Sequence, residues 1–404
     1  MNGSNLTITS RNENFWEQRK LENLSEHKSG TSIEKYFSSD GLYKVISIGS
    51  YGLNNEYIDQ GIRAVKNKTT ESKLVRSGQL TMVLNDKTAN GNLIGRCLLI
   101  STDNEFIVNQ RTEIIIPGPD LNGNYAYYYL NGPFRSKVKR IAQGGTQIYV
   151  NYSSVKKQKI NYPIKDEQIK ISKLLKIIKK LITLYDRKLK LLSQVKKYFL
   201  DNLFAEKEYP NLRFKYFKKD KWEKTSLNSI VTYSNGKAHE KEINNKGNLD
   251  LVMMNSITTG GRLITKKKIL SPQDTLNKND IVIVLSDIAK GELIGKSSVI
   301  PCDNQYVLNQ RIGCLHPTLN IDSFFVSKYI NQKNRYFKSH AAGTSQINLS
   351  RSDVLNCTIY IPKVDEQHCV SNFIINVEKI INFYEYKKRH IIQIKNILLN
   401  TMFI

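Results

Sequence analysis

One stretch of this chain is written twice. Gly91-Asn92-Leu93-Ile94-Gly95-Arg96, followed by Asp103-Asn104 and Asn109-Gln110-Arg111, returns 200 positions later as Gly291-Glu292-Leu293-Ile294-Gly295-Lys296, Asp303-Asn304 and Asn309-Gln310-Arg311. The echo continues with Gly144 and Gln147-Ile148 against Gly343 and Gln346-Ile347, then Pro163 and Asp166-Glu167-Gln168 against Pro362 and Asp365-Glu366-Gln367. Upstream, Trp16-Glu17 and Gly30 match Trp222-Glu223 and Gly236. A repeat of roughly 200 residues is much longer than a solenoid unit, so each copy is expected to bury a core of its own.

Each copy has a strand-rich front and a helical rear. In the first front, Tyr43 to Ile48, Leu80 to Leu84, Cys97 to Ile100 and Thr112 to Ile116 are short β-branched runs between Gly, Asn and Asp. Leu249 to Met254, Asp280 to Leu285 and Ser298 to Ile300 are their counterparts, and aromatic helical stretches follow at Tyr125 to Ile141 and Phe324 to Phe337. The rears differ in kind. From Asp166 to Phe204 there is no Gly or Pro, and Ile171, Leu175, Ile178, Ile182, Tyr185, Leu189, Leu192, Phe199 and Leu203 recur at heptad spacing, interrupted at Lys196. The second rear repeats the register with Val370, Ile374, Val377, Ile381, Tyr384, Ile391, Leu398 and Met402, interrupted at Lys388 and Lys395. The fold class expected is α+β: two tandem mixed α/β domains and two long helices forming an antiparallel coiled coil, each helix about 60 Å long at a rise of about 1.5 Å per residue. Asp166-Glu167 and Asp365-Glu366 fall where carboxylates meet the positive end of a helix dipole, and Glu206 to Asp220 reads as a linker.

Charge narrows the function. Lys and Arg number 61 against 36 Asp and Glu, a formal +25. The excess is spread over both copies, which favours a polyanionic partner. Five cysteines with no CxxC pair fit reduced thiols in a cytoplasmic protein, and the polar Met1 to Asn14 segment has no apolar signal region. No run approaches a membrane span, so no membrane partner is expected.

Signatures of catalysis are missing. Gly291 to Ser297 resembles a phosphate-binding loop but has three residues between glycines where the motif needs four, and reads better as a turn. The six histidines form neither HExxH nor a cluster with ligand spacing, so no metal ligand and no catalytic residue is assigned. The Asp-Glu-Gln triplets read as helix starts before they read as acid/base pairs.

What remains is basic and polar. Arg135, Lys137, Lys139 and Arg140, Arg262 with Lys266, Lys267 and Lys268, and Arg335 with Lys338 are candidates for phosphate or groove contact. Gln147 and Gln346, beside glycine turns, are base-reading or turn-stabilising. Arg111 and Arg311 are phosphate candidates, with Asn-Gln before each of them open to a structural role.

This order of elements resembles the DNA-specificity subunit of type I restriction-modification systems. The resemblance rests on the Trp-Glu openings, the Asn-Gln after a central strand, the Gly144-Gly145-Thr146-Gln147 and Gly343-Thr344-Ser345-Gln346 turns, and the Pro-x-x-acidic-acidic-Gln preceding each long helix. The first copy departs from the pattern with Ile148-Tyr149-Val150 where the second has Asn348-Leu349. The resemblance implies target-recognition domains at 1–162 and 206–361, a central helix at 163–205 and a C-terminal helix at 362–404. Each domain would read half of a bipartite site on double-stranded DNA while the helices set the spacing. It implies a non-catalytic chain that binds no cofactor. Two methyltransferase subunits would dock on it, together with restriction/translocase subunits, and these would supply the S-adenosylmethionine, ATP and Mg2+ chemistry. The divergent stretches, Ser50 to Ser77 against Ser256 to Asn279, are where two different half-sites would be read. An autonomous nuclease and a nonspecific nucleic-acid scaffold are the alternatives.

Overall fold

The computed structural model describes residues 16–87, 90–204, 206–244, 246–270, 274–288 and 291–403; Met1 to Asn14 lie outside the described residues. The chain divides into two compact units, Met1–Asp186 with Lys387–Ile404, and Arg187–Tyr386. Each holds one copy of the repeat and a segment of each long helix. The helices of seven residues or more are α1 Gly123–Asn131, α2 Pro133–Arg140, α3 Lys165–Leu203, α4 Ser323–Gln332, α5 Asn334–His340 and α6 Val364–Met402. Among the described residues no helix is long and apolar enough to cross a membrane.

The first unit is built on an antiparallel sheet ordered Ser25–Ser29, Thr112–Pro117, Leu80–Val83, Cys97–Leu99. Beside it is a mixed sheet in which Tyr43–Ile46 runs parallel to Phe106–Val108. The run Leu80–Val83 is buried throughout because both faces of its sheet are covered. Leu80 and Met82 point to a core shared with Tyr125, Tyr129 and Leu130 of α1, whereas Val83 joins Ile46, Leu98 and Val108. The second unit repeats this arrangement. Ile281 and Ile283 pack with Phe325 and Tyr329 of α4, and Val282 and Val284 pack with Val252 and Leu308.

Two expectations change in detail. Each aromatic stretch is a pair of helices, not one. Gly132, with φ −98 and ψ −119, ends α1, and Pro133, which lacks an N–H, starts α2 where that donor is not needed. The expected linker is also partly built into the second unit. The Arg213 side chain is buried and forms a two-pronged ion pair with Glu366, Nε to Oε1 at 2.8 Å and Nη2 to Oε2 at 2.5 Å, and Trp222 Nε1 donates to the same carboxylate at 3.1 Å. Glu366 therefore does more than meet a helix dipole.

The strand after each Trp pairs with the strand before each long helix: Glu17–Lys20 with Lys159–Tyr162, and Glu223–Ser226 with Thr358–Ile361. The Gln of each triplet then fixes the helix start. Gln168 accepts from the Asn122 N–H at 2.8 Å and donates to the carbonyls of Asp120 and Pro163; Gln367 accepts from the Asp322 N–H at 2.9 Å and donates to that of Pro362. Each amide replaces water that the buried N–H and carbonyls have lost.

Within each unit α3 and α6 touch through the heptad positions. In the first, Ile171 and Leu175 share a core with Leu399, Met402 and Phe403, and Lys388 Nζ lies 2.5 Å from Asp186 Oδ1. In the second, the Phe199 and Phe373 rings are 4.6 Å apart, Lys196 Nζ meets Glu378 Oε1 at 2.6 Å, and Lys188 Nζ donates to the Tyr384 hydroxyl at 2.6 Å. Ile178, Val370, Ile374 and Ile381 are buried, and Ile182, Tyr185, Leu192, Val377, Ile391 and Leu398 are half-buried. The two lysines Lys196 and Lys388 interrupt the apolar register because each meets a carboxylate on the other helix.

Candidate nucleic-acid interface

The Asn-Gln pair is a clamp. Asn109 Oδ1 accepts from the Ile33 N–H at 3.3 Å while its amide donates to Glu34 Oε1 at 3.0 Å, joined there by Gln110 Nε2 at 2.9 Å. Asn309, Gln310, the His239 N–H and Glu240 repeat the arrangement. Hydrogen bonds from the Ser32 hydroxyl and then Asn109 hold the Glu34 carboxyl down to about 2, and Asn309 lowers Glu240 from its ordinary range. Gly30 and Gly236 are shared because a Cβ would sit 2.0 Å from Asn109 O and 2.1 Å from Asn309 O.

The clamp presents the following arginine to solvent. Arg111 has φ +66, an unusual conformation for a non-glycine residue, and its side chain is exposed, as is that of Arg311. The backbone then ties each arginine to its Gly-x-x-Gln turn. Leu84 N–H donates to Arg111 O and Leu84 O accepts from the Val150 N–H; Leu285 makes the same pair of bonds to Arg311 and Leu349. The turn itself requires glycine, since a Cβ on Gly144 or Gly343 would lie 2.0 Å from the carbonyl oxygen of Gln147 or Gln346, and φ is +102 and +130. Gln147 is exposed at the tip, and Arg111 and Gln147 line one cleft of about 680 Å³ with Asn85, Tyr149 and Lys156. Gln346 is half-buried and donates to Ser286 Oγ at 2.5 Å and Asn348 Oδ1 at 3.2 Å. The departure of the first copy at Ile148-Tyr149-Val150 thus removes the Asn348 partner and leaves Gln147 projecting.

The other candidates separate into engaged and exposed groups. Arg135 turns inward and caps the Gly91 to Gly95 turn, with Nε on Ile94 O at 3.0 Å and Nη2 on Asn92 O at 2.7 Å. Burial, then Arg96, lowers its pKa to about 10. Lys137 Nζ donates to Lys159 O at 2.8 Å, and it lines a cavity of about 390 Å³ with Arg140, Lys157 and Lys159. Burial, then repulsion from Arg140 and Lys159, lowers the Lys137 pKa, the condition that an anion placed among them would relieve. Lys139, Arg335 and Lys338 are exposed. Lys266 is exposed, with Lys267 and Lys268 on the edge strand Lys267–Ile269. Arg262 donates from Nη2 to Asn382 Oδ1 of α6 at 2.7 Å.

The phosphate-loop lookalikes are turns. Leu93 and Leu293 N–H groups donate to Asp86 and Asp287 at 2.6 Å, and a Cβ on Gly95 or Gly295 would strike Val138 or Phe337. The glycines let this turn lie against α2 and α5.

Comparison with known proteins completes the assignment. The model of the type I restriction modification DNA specificity domain matches twice, at residues 13–194 and 219–396. The chain belongs to this family. A type I specificity subunit of Methanocaldococcus jannaschii, that of the restriction enzyme MjaVIII, is 22% identical over 369 residues, covering 87% of this chain and 84% of the relative. The crystal structure of a type I restriction-modification S subunit from M. genitalium shares the fold with a TM-score of 0.64, at 15% identity over 98% of both chains. A chain solved in work on complex assembly and conformational transition of the type I R-M system gives 0.60, at 13% identity over 98% and 99%.

Two features of this type I specificity chain escaped the sequence. Asp280, Cys314 and His316 bring potential ligand atoms within 4.8 Å of one another, although Asp280 is distant in the chain from the other two. His316 Nδ1 is 2.7 Å from Asp280 Oδ1, and its Nε2 is 2.8 Å from Ser234 Oγ. The Asp280 hydrogen bond raises the His316 pKa, and burial raises that of the Cys314 thiol. Alternation along Ile312–Pro317 was the available signal, since it places Cys314 and His316 on one face. The second is the buried Arg213–Glu366 pair, for which a charged linker gave no cue.

Proposed function

We propose that this chain is the non-catalytic, sequence-specific DNA-binding subunit of a type I restriction-modification complex. Its recognition domains, 1–162 and 206–361, each read one half of a bipartite double-stranded target. The observation that carries this reading is the repeated backbone frame that ties an exposed arginine to a Gly-x-x-Gln turn, Arg111 with Gln147 and Arg311 with Gln346. Arginine reads guanine or grips phosphate and glutamine reads adenine, while a turn at the sheet edge can enter a groove. Lys139, Arg140, Lys266, Lys267, Lys268, Arg335 and Lys338 supply the surrounding phosphate contacts; Arg135, Lys137 and Arg262 act mainly by shaping the surfaces beside them.

The helices 163–205 and 362–404 form an antiparallel coiled coil that sets the spacing of the half-sites. The direction is supported by partner numbers that fall on α6 as they rise on α3: Asp186 with Lys388 in the first unit, and Lys188 with Tyr384, Lys196 with Glu378 and Phe199 with Phe373 in the second. Methyltransferase subunits dock on the outer helix faces, where Leu174, Ile177, Leu181, Leu184, Leu191 and Val195 of α3 and Ile380, Ile394 and Ile397 of α6 remain exposed at helical spacing. Those partners bring S-adenosylmethionine, and the translocase subunits bring ATP and Mg2+. The test is genome-wide mapping of adenine methylation in a host carrying this chain with its methyltransferase subunit. A new split motif, absent without the chain, is expected; no motif, or metal-dependent cutting by the purified chain alone, overturns the reading.

A further inference from the structure

The recognition loops that differ between copies also touch the long helices, and they do so with opposite charge. The two loops are superposable in their hydrogen bonding. Gly52 N–H donates to Glu56 O, Asn55 N–H to Gly52 O and Ile58 N–H to Ser50 O; 206 positions on, Thr258 donates to Arg262, Gly261 to Thr258 and Ile264 to Ser256 in the same way. Asn55 and Gly261 both adopt positive φ, +60 and +73. Glu56 and Arg262 therefore occupy one structural position. On the helices, Lys179 and Glu378 are equivalent in the same sense, at the spacing of 199 that relates the keystones Gln168 and Gln367.

In the first unit the loop supplies the acid. Glu56 Oε1 meets Lys179 Nζ at 3.1 Å, and Lys179 also donates to the Tyr127 hydroxyl at 3.1 Å, which in turn donates to Asn55 O at 2.8 Å. Lys395 of α6 lies near enough to Lys179 that repulsion, after burial, lowers its pKa. In the second unit the helix supplies the acid. Glu378 Oε1 takes Lys328 Nζ at 2.7 Å and Lys196 Nζ at 2.6 Å, and the Lys328 side chain is only 9% exposed. Arg262 reaches Asn382 one turn along the same helix and lines the same cavity as Lys196, Lys328 and Glu378.

We propose that these two junctions are a charge key: each recognition domain is seated on the helices by an ionic contact whose polarity is inverted in the other, so the two domains do not exchange seats. The second domain placed on the first seat would set Arg262 and Lys328 against Lys179 and Lys395 with no carboxylate. The first domain on the second seat would set Glu56 against Glu378 and remove Lys328, leaving Lys196 of the helix as the cation shared by two carboxylates. Like charges in partly buried surroundings are disfavoured, whereas either matched set is compensated. The key positions each loop against its helix, and, on the proposed function, it fixes which half-site reader serves which end of the target.

The test is a charge-exchange series in the full-length chain, read by thermal unfolding at low and at high salt. Glu378→Lys and Lys179→Glu are each expected to lower the midpoint of their own unit by on the order of 5 °C or more. Lys328→Glu with Glu378→Lys, and Glu56→Lys with Lys179→Glu, are expected to recover at least half of each loss, with less recovery at 1 M salt. Should a reversal prevent folding, Glu378→Gln and Lys328→Gln singly and together give the same comparison by non-additivity. Doubles no more stable than the reversed singles, or strictly additive neutral variants, overturn the key. Methylation mapping of the Glu56→Lys/Lys179→Glu chain separates the two claims: recovered stability without any split motif in the parent chain sinks the functional reading alone, and an unchanged motif with no recovery sinks the key alone.

Discussion

Removing the Glu366 carboxylate tests the packing logic of the second unit most sharply. Its side chain is 2% exposed and that of Arg213 4%, and two guanidinium nitrogens and the Trp222 indole N–H converge on it. Glu366→Ala would leave a guanidinium buried with no counter-charge and the indole N–H with no acceptor. Breaking such a pair costs about 3–5 kcal/mol, which for a unit of this size corresponds to a fall in Tm of roughly 6–20 °C. The double variant Arg213→Met/Glu366→Leu removes both charges and refills the volume, so it should unfold close to the parent or above it. In calorimetry the transition of the second unit is expected to move and that of the first to stay. A cost below about 1 kcal/mol for Glu366→Ala, the range of exposed pairs, would mean that water reaches this site and that the linker is not part of the core.

Further outcomes follow from other contacts. His316, whose pKa is raised by Asp280, stabilises the fold fully below its ordinary value near 6.5, and that contribution is lost as pH rises through the folded-state pKa. The gap between parent and His316→Phe should therefore be widest in mild acid and narrow toward pH 8; a gap that widens refutes the assignment. Glu34 behaves oppositely. Its contribution is present above its ordinary value of 4.5 and is lost as pH falls toward about 2, so Glu34→Gln should flatten acid denaturation of the first unit. Gly295→Ala adds a Cβ 2.4 Å from the Phe337 ring at φ +71 and should cost about 2–4 kcal/mol by denaturant titration. Reversing Lys266, Lys267 and Lys268 should weaken DNA binding across sequences and reduce the salt slope by up to about 0.9 per lost phosphate contact, whereas Gln147→Ala should relax preference at one base pair.

The sequence made the fold legible where burial is two-sided or strictly periodic. The runs Leu80–Val83 and Ile281–Val284 became central strands because every residue in them is buried, and the heptad positions of α3 and α6 became the less exposed face of each helix. It was less informative where one residue decides. Pro133 splits a stretch whose aromatic pattern reads as continuous, and Gln168 matters more than the acids before it because its amide alone can both donate and accept. The candidate interface was legible as types and not as geometry. Arg111 and Arg135 look alike in sequence, yet one stands exposed on a left-handed turn and the other is consumed by carbonyls 41 and 43 residues away.

Duplication explains why those misreadings fall where they do. Residues identical in both copies, Gly30 and Gly236, Asn109 and Asn309, Gln168 and Gln367, each satisfy a backbone that both copies must build, so identity between copies marks the frame. A residue that differs has two reasons to do so: it faces a different half-site, or it faces a different stretch of helix. Glu56 and Arg262 lie in the divergent stretches but touch Lys179 and Asn382, which places them in the second group. Divergence between copies therefore identifies a reading residue only after contacts with the helices are removed from it. Gln147 is the converse case: it is identical to Gln346 but projects where Gln346 is held by Ser286 and Asn348, so its differing contacts, not its identity, make it the candidate for a base contact that the two half-sites do not share.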